Sequence, residues 1–282
     1  MMQTGGSTMA EARVDPNGAL AGRVAVVTGA SRGIGEAIAR RMAMDGARVV
    51  VAARTVEQSE HPLPGTITDT VARIRAAGGE AHPVKADLSK AEDRQRLIEE
   101  ARATYGPVDI LVNNAAVTYY APTAEFAEKR LRLMFEVQVF GPTHLAQLVY
   151  PGMKEKGRGH IIYISSGAAY HPRQPYTQAA GRGGTVYGMC KAAMERFSTG
   201  FASEVFDDNI AVNAISPGLV KTPGTEFLGI TNENTRDRES PVEMISEAVS
   251  FIARSEPKQI TGRIDHIPEF LREFKLEPAV LI

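Results

Sequence analysis

The stretch RVAVVTGASRGIGEAIARRM, residues 23–42, decides the fold. Its first six residues form a short, largely apolar run rich in β-branched residues that ends in a glycine-rich turn, the pattern of a parallel strand buried on both faces. Ile34, Ile38 and Met42 then recur every fourth residue, as on one face of a helix. Gly46 stands where such a helix would stop, and ARVVVAA (47–53) reads as a second buried strand. Working outward, the alternation repeats. EAHPVKAD (80–87), VDILVNN (108–114), GHIIYIS (159–165) and NIAVNAIS (209–216) read as strands, and ITGRIDHI (260–267) as a last one. Helical patterns lie between them, for example over 91–105 and 124–155. This alternation predicts an α/β fold, a single doubly wound parallel sheet of Rossmann type with helices on both faces.

The chain has 282 residues, 43% hydrophobic and 23% charged, with a formal net charge of −1. Such a balance gives no field that would draw it to nucleic acid or anionic lipid, and neither is expected as a partner. One cysteine, Cys190, excludes an intramolecular disulfide and fits a reducing compartment. No apolar run reaches the roughly 18–20 residues of a membrane span. The expected organisation is a mobile polar tail over 1–20, one catalytic domain over 21–267 and a C-terminal extension over 268–282, in a cytoplasmic protein. Irregular stretches at 55–66, 167–186 and 222–240 are long for a compact domain, as functional loops often are.

In TGASRGIG (28–35), Gly29, Gly33 and Gly35 lack side chains, so a pyrophosphate could approach the backbone at a helix N-terminus. Ser31 and Ile34 belong to the same candidate cradle. Without a ligand the stretch would be only a tight strand-to-helix turn. The end of the second strand bears on which nucleotide fits. An acid that bonds a ribose 2′-hydroxyl is expected there, but Ala53 and then Arg54 occupy the place. Arg54 and Arg32 would suit a 2′-phosphate, which points to NADP(H) over NAD(H).

YGMCK (187–191) places Tyr187 and Lys191 one helical turn apart on one face. A phenol is a weak acid near pKa 10, but a neighbouring ammonium and an oxidised nicotinamide would both favour its phenolate. Ser166, at the end of the fifth strand, is the candidate hydroxyl for holding a substrate oxygen, with Ser165 as its competitor. Cys190 points to another face of the helix and reads as packing. Six scattered histidines show no metal-ligand spacing, and no metal is expected. Of these, His171, in the 167–186 stretch, is the one placed near a substrate pocket.

Together with AD (86–87), NNAA (113–116), ISS (164–166) and SPGLVKT (216–222), these motifs resemble the short-chain dehydrogenases/reductases over about residues 20–263. The resemblance implies reversible hydride transfer between a nicotinamide and an alcohol or carbonyl carbon. Tyr187 would be the acid/base, Lys191 its activator and Ser166 the group that orients the carbonyl. Asp87, with Leu88, would face the adenine. Asn113 and Asn114 would line the cofactor site, and Pro217, Gly218, Val220 and Thr222 would surround the carboxamide. Gln138 takes the place of the family's helix asparagine in the catalytic tetrad. Ala116 replaces a glycine, the spacing from Ser166 to Tyr187 is longer than in many members, and the C-terminal DGG is absent. The loop TVEQSEHPLPGTI (55–67) is similar to the hydroxysteroid-dehydrogenase-like and citronellol/citronellal dehydrogenase branch. That implies an apolar terpenoid, steroid or fatty-chain substrate. The family association also implies a homodimer or homotetramer, through helices at 124–155 and 187–206, with the AVLI tail docked on a partner. The alternative reading is an NADP-binding sensor or scaffold whose chemistry has decayed.

Overall fold

The β-branched runs become strands Val24–Thr28 (β1), Arg48–Ala53 (β2), Ala81–Lys85 (β3), Ile110–Asn113 (β4), Gly159–Ile164 (β5), Ile210–Ser216 (β6) and Ile264–His266 (β7). The computed structural model describes residues 13–174 and 183–282. All seven strands pair in parallel, in the order β3-β2-β1-β4-β5-β6-β7. The chain winds outward from β1 in one direction, then returns to start β4 on its other side. A crevice opens at that reversal, beyond the carboxyl ends of β1 and β4.

The helices are Gly33–Met44 (α1), Ile67–Ala76 (α2), Ala91–Tyr105 (α3), Glu128–Phe135 (α4), Gly141–Lys156 (α5), Thr185–Glu204 (α6), Pro223–Phe227 (α7), Val242–Arg254 (α8) and Ile267–Phe274 (α9). Successive β1 residues face opposite layers. Ala25 and Val27 pack with Ile38 and Met42 of α1, Ile74 of α2, Val249 of α8 and Phe270 of α9. Val24 and Val26 pack with Leu97 of α3, Val149 of α5 and Met194 of α6. Each fully buried side chain of this size contributes about 1.5–3 kcal/mol, so both faces of the sheet are driven to be covered. Helix α1 stops at the predicted place, and Gly46 has φ +86°.

Two differences from the sequence reading have physical causes. The 124–155 pattern is not one helix. α4 and α5 are joined by a π-helical turn, Glu136–Phe140, whose extra residue per turn blurs the sequence period. Ordered structure begins before residue 21, because Leu20 is fully buried and the Asp15 N–H donates to the Met44 carbonyl at 2.9 Å. Residues 1–12 of the expected tail lie outside the described residues. At the other end, α9 docks on its own chain, with Phe270 in edge contact with Phe251 of α8, while Val280 is exposed. No helix among the described residues is long and apolar enough to cross a membrane.

Candidate active site

Thr28, the last residue of β1, ties the crevice floor together. Its hydroxyl donates to the Val112 carbonyl at 3.2 Å and accepts from the N–H groups of Asn114 (3.1 Å) and Ala115 (3.2 Å). The Asn114 amide donates in turn to the carbonyls of Thr28 (2.9 Å) and Gly29 (3.2 Å). This bracing explains two of the three glycines. A Cβ at Gly35 would sit 2.3 Å from the Gly29 carbonyl oxygen and 2.5 Å from Asn114 Nδ2, and one at Gly29 would meet Ala115 Cα at 2.8 Å. Gly29 and Gly35 are therefore required by packing within the protein. Gly33 differs. Its φ is +58°, and an added Cβ would meet the Thr222 side chain at 3.0 Å, across the crevice.

The crevice has a volume of about 500 Å³. Gly29, Ser31, Arg32, Gly33, Ile34 and Gly35 line its β1 side. Arg54, Asp87, Leu88, Asn114 and Thr222 complete the predicted residues that reach it. Asn113 does not line it. Its buried side chain has no hydrogen-bond partner among the described residues at either polar atom. Pro217, Gly218 and Val220 also lie off its wall, and Val220 is buried in a bridge to Ser240.

The adenosine-side wall carries cations. Arg32 Nε donates to the Pro64 carbonyl at 2.8 Å, and its Nη2 to the Gly65 carbonyl at 2.7 Å. Burial and the charge of Arg54 hold the Arg32 guanidinium below its usual range, so the two cations lie within electrostatic reach of each other. Burial alone would raise the Asp87 carboxyl. Bonds from Ser89 and the charges of Arg54 and Lys90 outweigh that and bring it below its usual range. A glycine with no Cβ across the gap, a helix N-terminus and two neighbouring guanidinium groups fit the phosphates of a dinucleotide.

Ser166, Tyr187, Lys191 and Gln138 are not among the residues that line this crevice, whereas Val117 and Tyr119 are. Those two residues pack with Tyr187 around a small core of Met134, Val186 and Cys190. Ser166 follows β5 and caps a short turn, accepting from the Ala168 N–H at 3.2 Å. Its hydroxyl also lies close enough to the Tyr187 phenol to act on its ionisation. Burial raises the phenol above its ordinary range, and the nearby Ser166 hydroxyl opposes that rise. Lys191 is buried on α6. Its Nζ donates to the Ile164 carbonyl at 2.8 Å and lies over the Tyr187 ring, 5.5 Å from the centroid. Burial lowers the Lys191 ammonium to about 8. Lys191 thus stacks on the ring face instead of touching the phenol oxygen. Of the two serine candidates, Ser165 is engaged elsewhere, donating to Glu195 at 2.6 Å. Gln138 Nε2 donates to the Val117 carbonyl at 2.9 Å.

Sequence reasoning missed several neighbours. His61, Leu63, Phe227 and Leu228 line the crevice, and the Tyr120 ring lies 6.2 Å from that of Tyr187. The 55–66 stretch stands out in the sequence for its length and its branch resemblance alone. Nothing in its pattern told which residue would face inward. His171 is exposed and does not line the crevice. The enlarged loop predicted over 167–186 falls partly on 175–182, outside the described residues.

A family model described as short chain dehydrogenase matches residues 23–232. An uncharacterized oxidoreductase of Methylorubrum extorquens is 35% identical over 254 residues, 87% of this chain and 96% of that one. Bovine hydroxysteroid dehydrogenase-like protein 2 is 35% identical over 92% of this chain, which spans only 60% of that longer protein. A metagenomic short-chain oxidoreductase solved in complex with NADP superposes with a TM-score of 0.71, at 31% identity, over 87% of this chain and 96% of that one. The chain belongs to the short-chain dehydrogenase/reductase family and is an NAD(P)-dependent oxidoreductase with a nicotinamide-cofactor site.

Proposed function

We propose that the protein is an NADP(H)-preferring oxidoreductase that interconverts alcohol and carbonyl carbons on an apolar substrate. The observation that carries the chemistry is the grouping of Ser166 beside the Tyr187 phenol with Lys191 over its ring. The neighbouring cations Arg32 and Arg54, and the absence of a carboxylate at Ala53, support the cofactor preference. The bound nicotinamide supplies hydride in one direction and accepts it in the other. In reduction, Tyr187 gives its phenolic proton to the substrate oxygen while Ser166 donates a hydrogen bond to that oxygen. In oxidation, Tyr187 takes the proton back. Lys191 keeps a positive charge beside the phenol and so favours its ionised form. Gln138 acts only through Val117, as a brace behind the reacting groups.

Exposed Phe227 and Leu228 at the crevice mouth, with Tyr120 beside Tyr187, support an apolar substrate such as a terpenoid, steroid or fatty chain. Exposed Phe140 and Met189 lie on the helical face expected to join subunits, which supports a homo-oligomer.

The test is turnover of a carbonyl panel with NADPH by the wild type and by Tyr187→Phe. Loss of the proton donor lowers kcat by about 10³-fold, while the Kd for NADPH stays within about twofold. A variant that keeps the wild-type rate overturns the tyrosine assignment. NADPH binding by the wild type with no oxidation on any panel member would favour the decayed sensor.

A further inference from the structure

The loop between β2 and α2 brings a third nitrogen donor to the cationic wall. His61 lines the crevice together with Arg32 and Arg54. Its Nδ1 faces two donors, the Leu63 N–H at 3.1 Å and Arg32 Nη1 at 3.4 Å. A nitrogen approached by two donors holds its lone pair, so this network assigns the ring hydrogen to Nε2. Nε2 hydrogen-bonds no other described residue.

The loop is built to hold that ring. The Gln58 side chain donates to the carbonyls of His61 (3.2 Å) and Leu63 (3.0 Å) and accepts from the Gly65 N–H at 3.1 Å. The Glu60 carboxylate accepts from the Val56 and Glu57 N–H groups and pairs with Lys85 at 2.6 Å. Gly65, at φ +98°, has no room for a Cβ, which would sit 2.6 Å from the Ser31 carbonyl. The loop therefore lies directly on the glycine turn. Its Pro64 and Gly65 carbonyls also aim Arg32.

We propose that His61 is a third ligand of the cofactor's 2′-phosphate, a neutral imidazole that donates Nε2–H to a phosphoryl oxygen between Arg32 and Arg54. The proposal rests on the NADP reading above and adds a residue to it. A third cation here would repel the other two, whereas a neutral donor adds a hydrogen bond without that cost. The electrostatics agree. Burial, then Arg32 and Arg54, push the imidazole below the ordinary histidine range. The carboxylate Glu60, on the same loop, is taken by Lys85, and Asp87 on the facing side feels Arg54.

The experiment titrates wild type, His61→Ala and His61→Gln with NADPH, NADH and adenosine 2′-monophosphate, with melting temperatures to check folding. Glutamine keeps an amide donor near the Nε2 position. His61→Ala weakens NADPH and adenosine 2′-monophosphate by about 10–50-fold and leaves NADH within about twofold, and His61→Gln recovers most of the loss. Wild-type selectivity for NADPH stays flat from pH 7 to 9. Equal weakening of NADPH and NADH would reduce His61 to loop support, and unchanged NADPH binding would remove it altogether. Selectivity that falls between pH 7 and 9 in the wild type but not in His61→Ala would mean a charged imidazole and overturn the neutral donor. If the wild type itself binds NADH as tightly as NADPH, the cofactor reading fails first, and that failure is visible without any variant.

Discussion

Around the glycine turn, most contacts that shape the crevice end on backbone atoms, whereas at the Tyr187 end the neighbouring groups include side chains that can exchange protons. Asn114 bonds the carbonyls of Thr28 and Gly29, and Arg32 bonds those of Pro64 and Gly65. At the other end the groups are Ser166 beside Tyr187, Lys191 over the Tyr187 ring, and Ser165 against Glu195. The first region is a frame whose damage should be read as lost stability. The second is a set of acids and bases whose damage should be read in turnover and pH.

The largest expected effect falls on the frame. Gly35→Ala forces a Cβ to within 2.3 Å of the Gly29 carbonyl, and a backbone atom cannot step aside. Overpacking of this kind costs about 3 kcal/mol or more, so the melting temperature should fall by at least ~6 °C. Gly33→Ala is the control. It meets only the Thr222 side chain and the penalty of φ +58°, about 1–2 kcal/mol. Its added methyl faces the crevice, so it should weaken cofactor binding more than its stability loss suggests. Equal melting temperatures for the two variants would erase the distinction between a structural glycine and a cofactor-facing one.

That contrast also marks what the sequence could tell. The strands were legible because β-branched runs buried on both faces leave no ambiguity of period. α3 was legible because Ala91–Tyr105 is one uninterrupted helical pattern. Tyr187, Lys191 and Ser166 were legible because their chemistry is in the side chains. Which glycine serves packing and which serves the ligand was not, since each is the same missing Cβ. The role of 57–65 was hidden for a related reason. Two of the groups that hold Arg32 are carbonyls of Pro64 and Gly65, and any sequence would supply carbonyls there. Only the fold says that this loop lies on the glycine turn. The π-helical turn was hidden because one inserted residue shifts a 3.6-residue period without breaking it.

At the reacting end, Lys191 gives the next effect in size. Its ammonium is buried and lowered to about 8, while in the unfolded chain it titrates near its ordinary value, about 10.4. Below pH 8 both states carry the proton, and the penalty for burying the charge is constant. Between pH 8 and 10 the unfolded chain binds more protons than the folded one, so stability rises with pH. Relative to Lys191→Met, the wild type should gain on the order of 2–3 kcal/mol across that window in urea unfolding of the cofactor-free protein. Parallel pH curves for the two proteins would mean that Lys191 stays charged throughout, and its burial would not be tuning it.

The smallest effect tests where frame and chemistry meet. Gln138 sits in the π-helical turn Glu136–Phe140, is buried, and reaches the Val117 carbonyl through Nε2 at 2.9 Å. Val117 lines the crevice and packs against the same small core as Tyr187. Asparagine, the residue the family resemblance leads one to expect there, is one methylene shorter, and from the same backbone position it falls short of that carbonyl. If Gln138 is a brace, Gln138→Asn leaves a buried acceptor unpaired, costs about 1–2 kcal/mol and lowers the melting temperature by ~2–8 °C, with kcat changed less than about tenfold. If Gln138 instead carries protons toward Lys191, kcat falls by more than about 10²-fold while the melting temperature hardly moves. The bond to Val117 occupies the amide nitrogen, and the amide oxygen accepts from no described residue. A proton path would have to enter through that oxygen, so the split between kcat and melting temperature decides to which of the two regions this residue belongs.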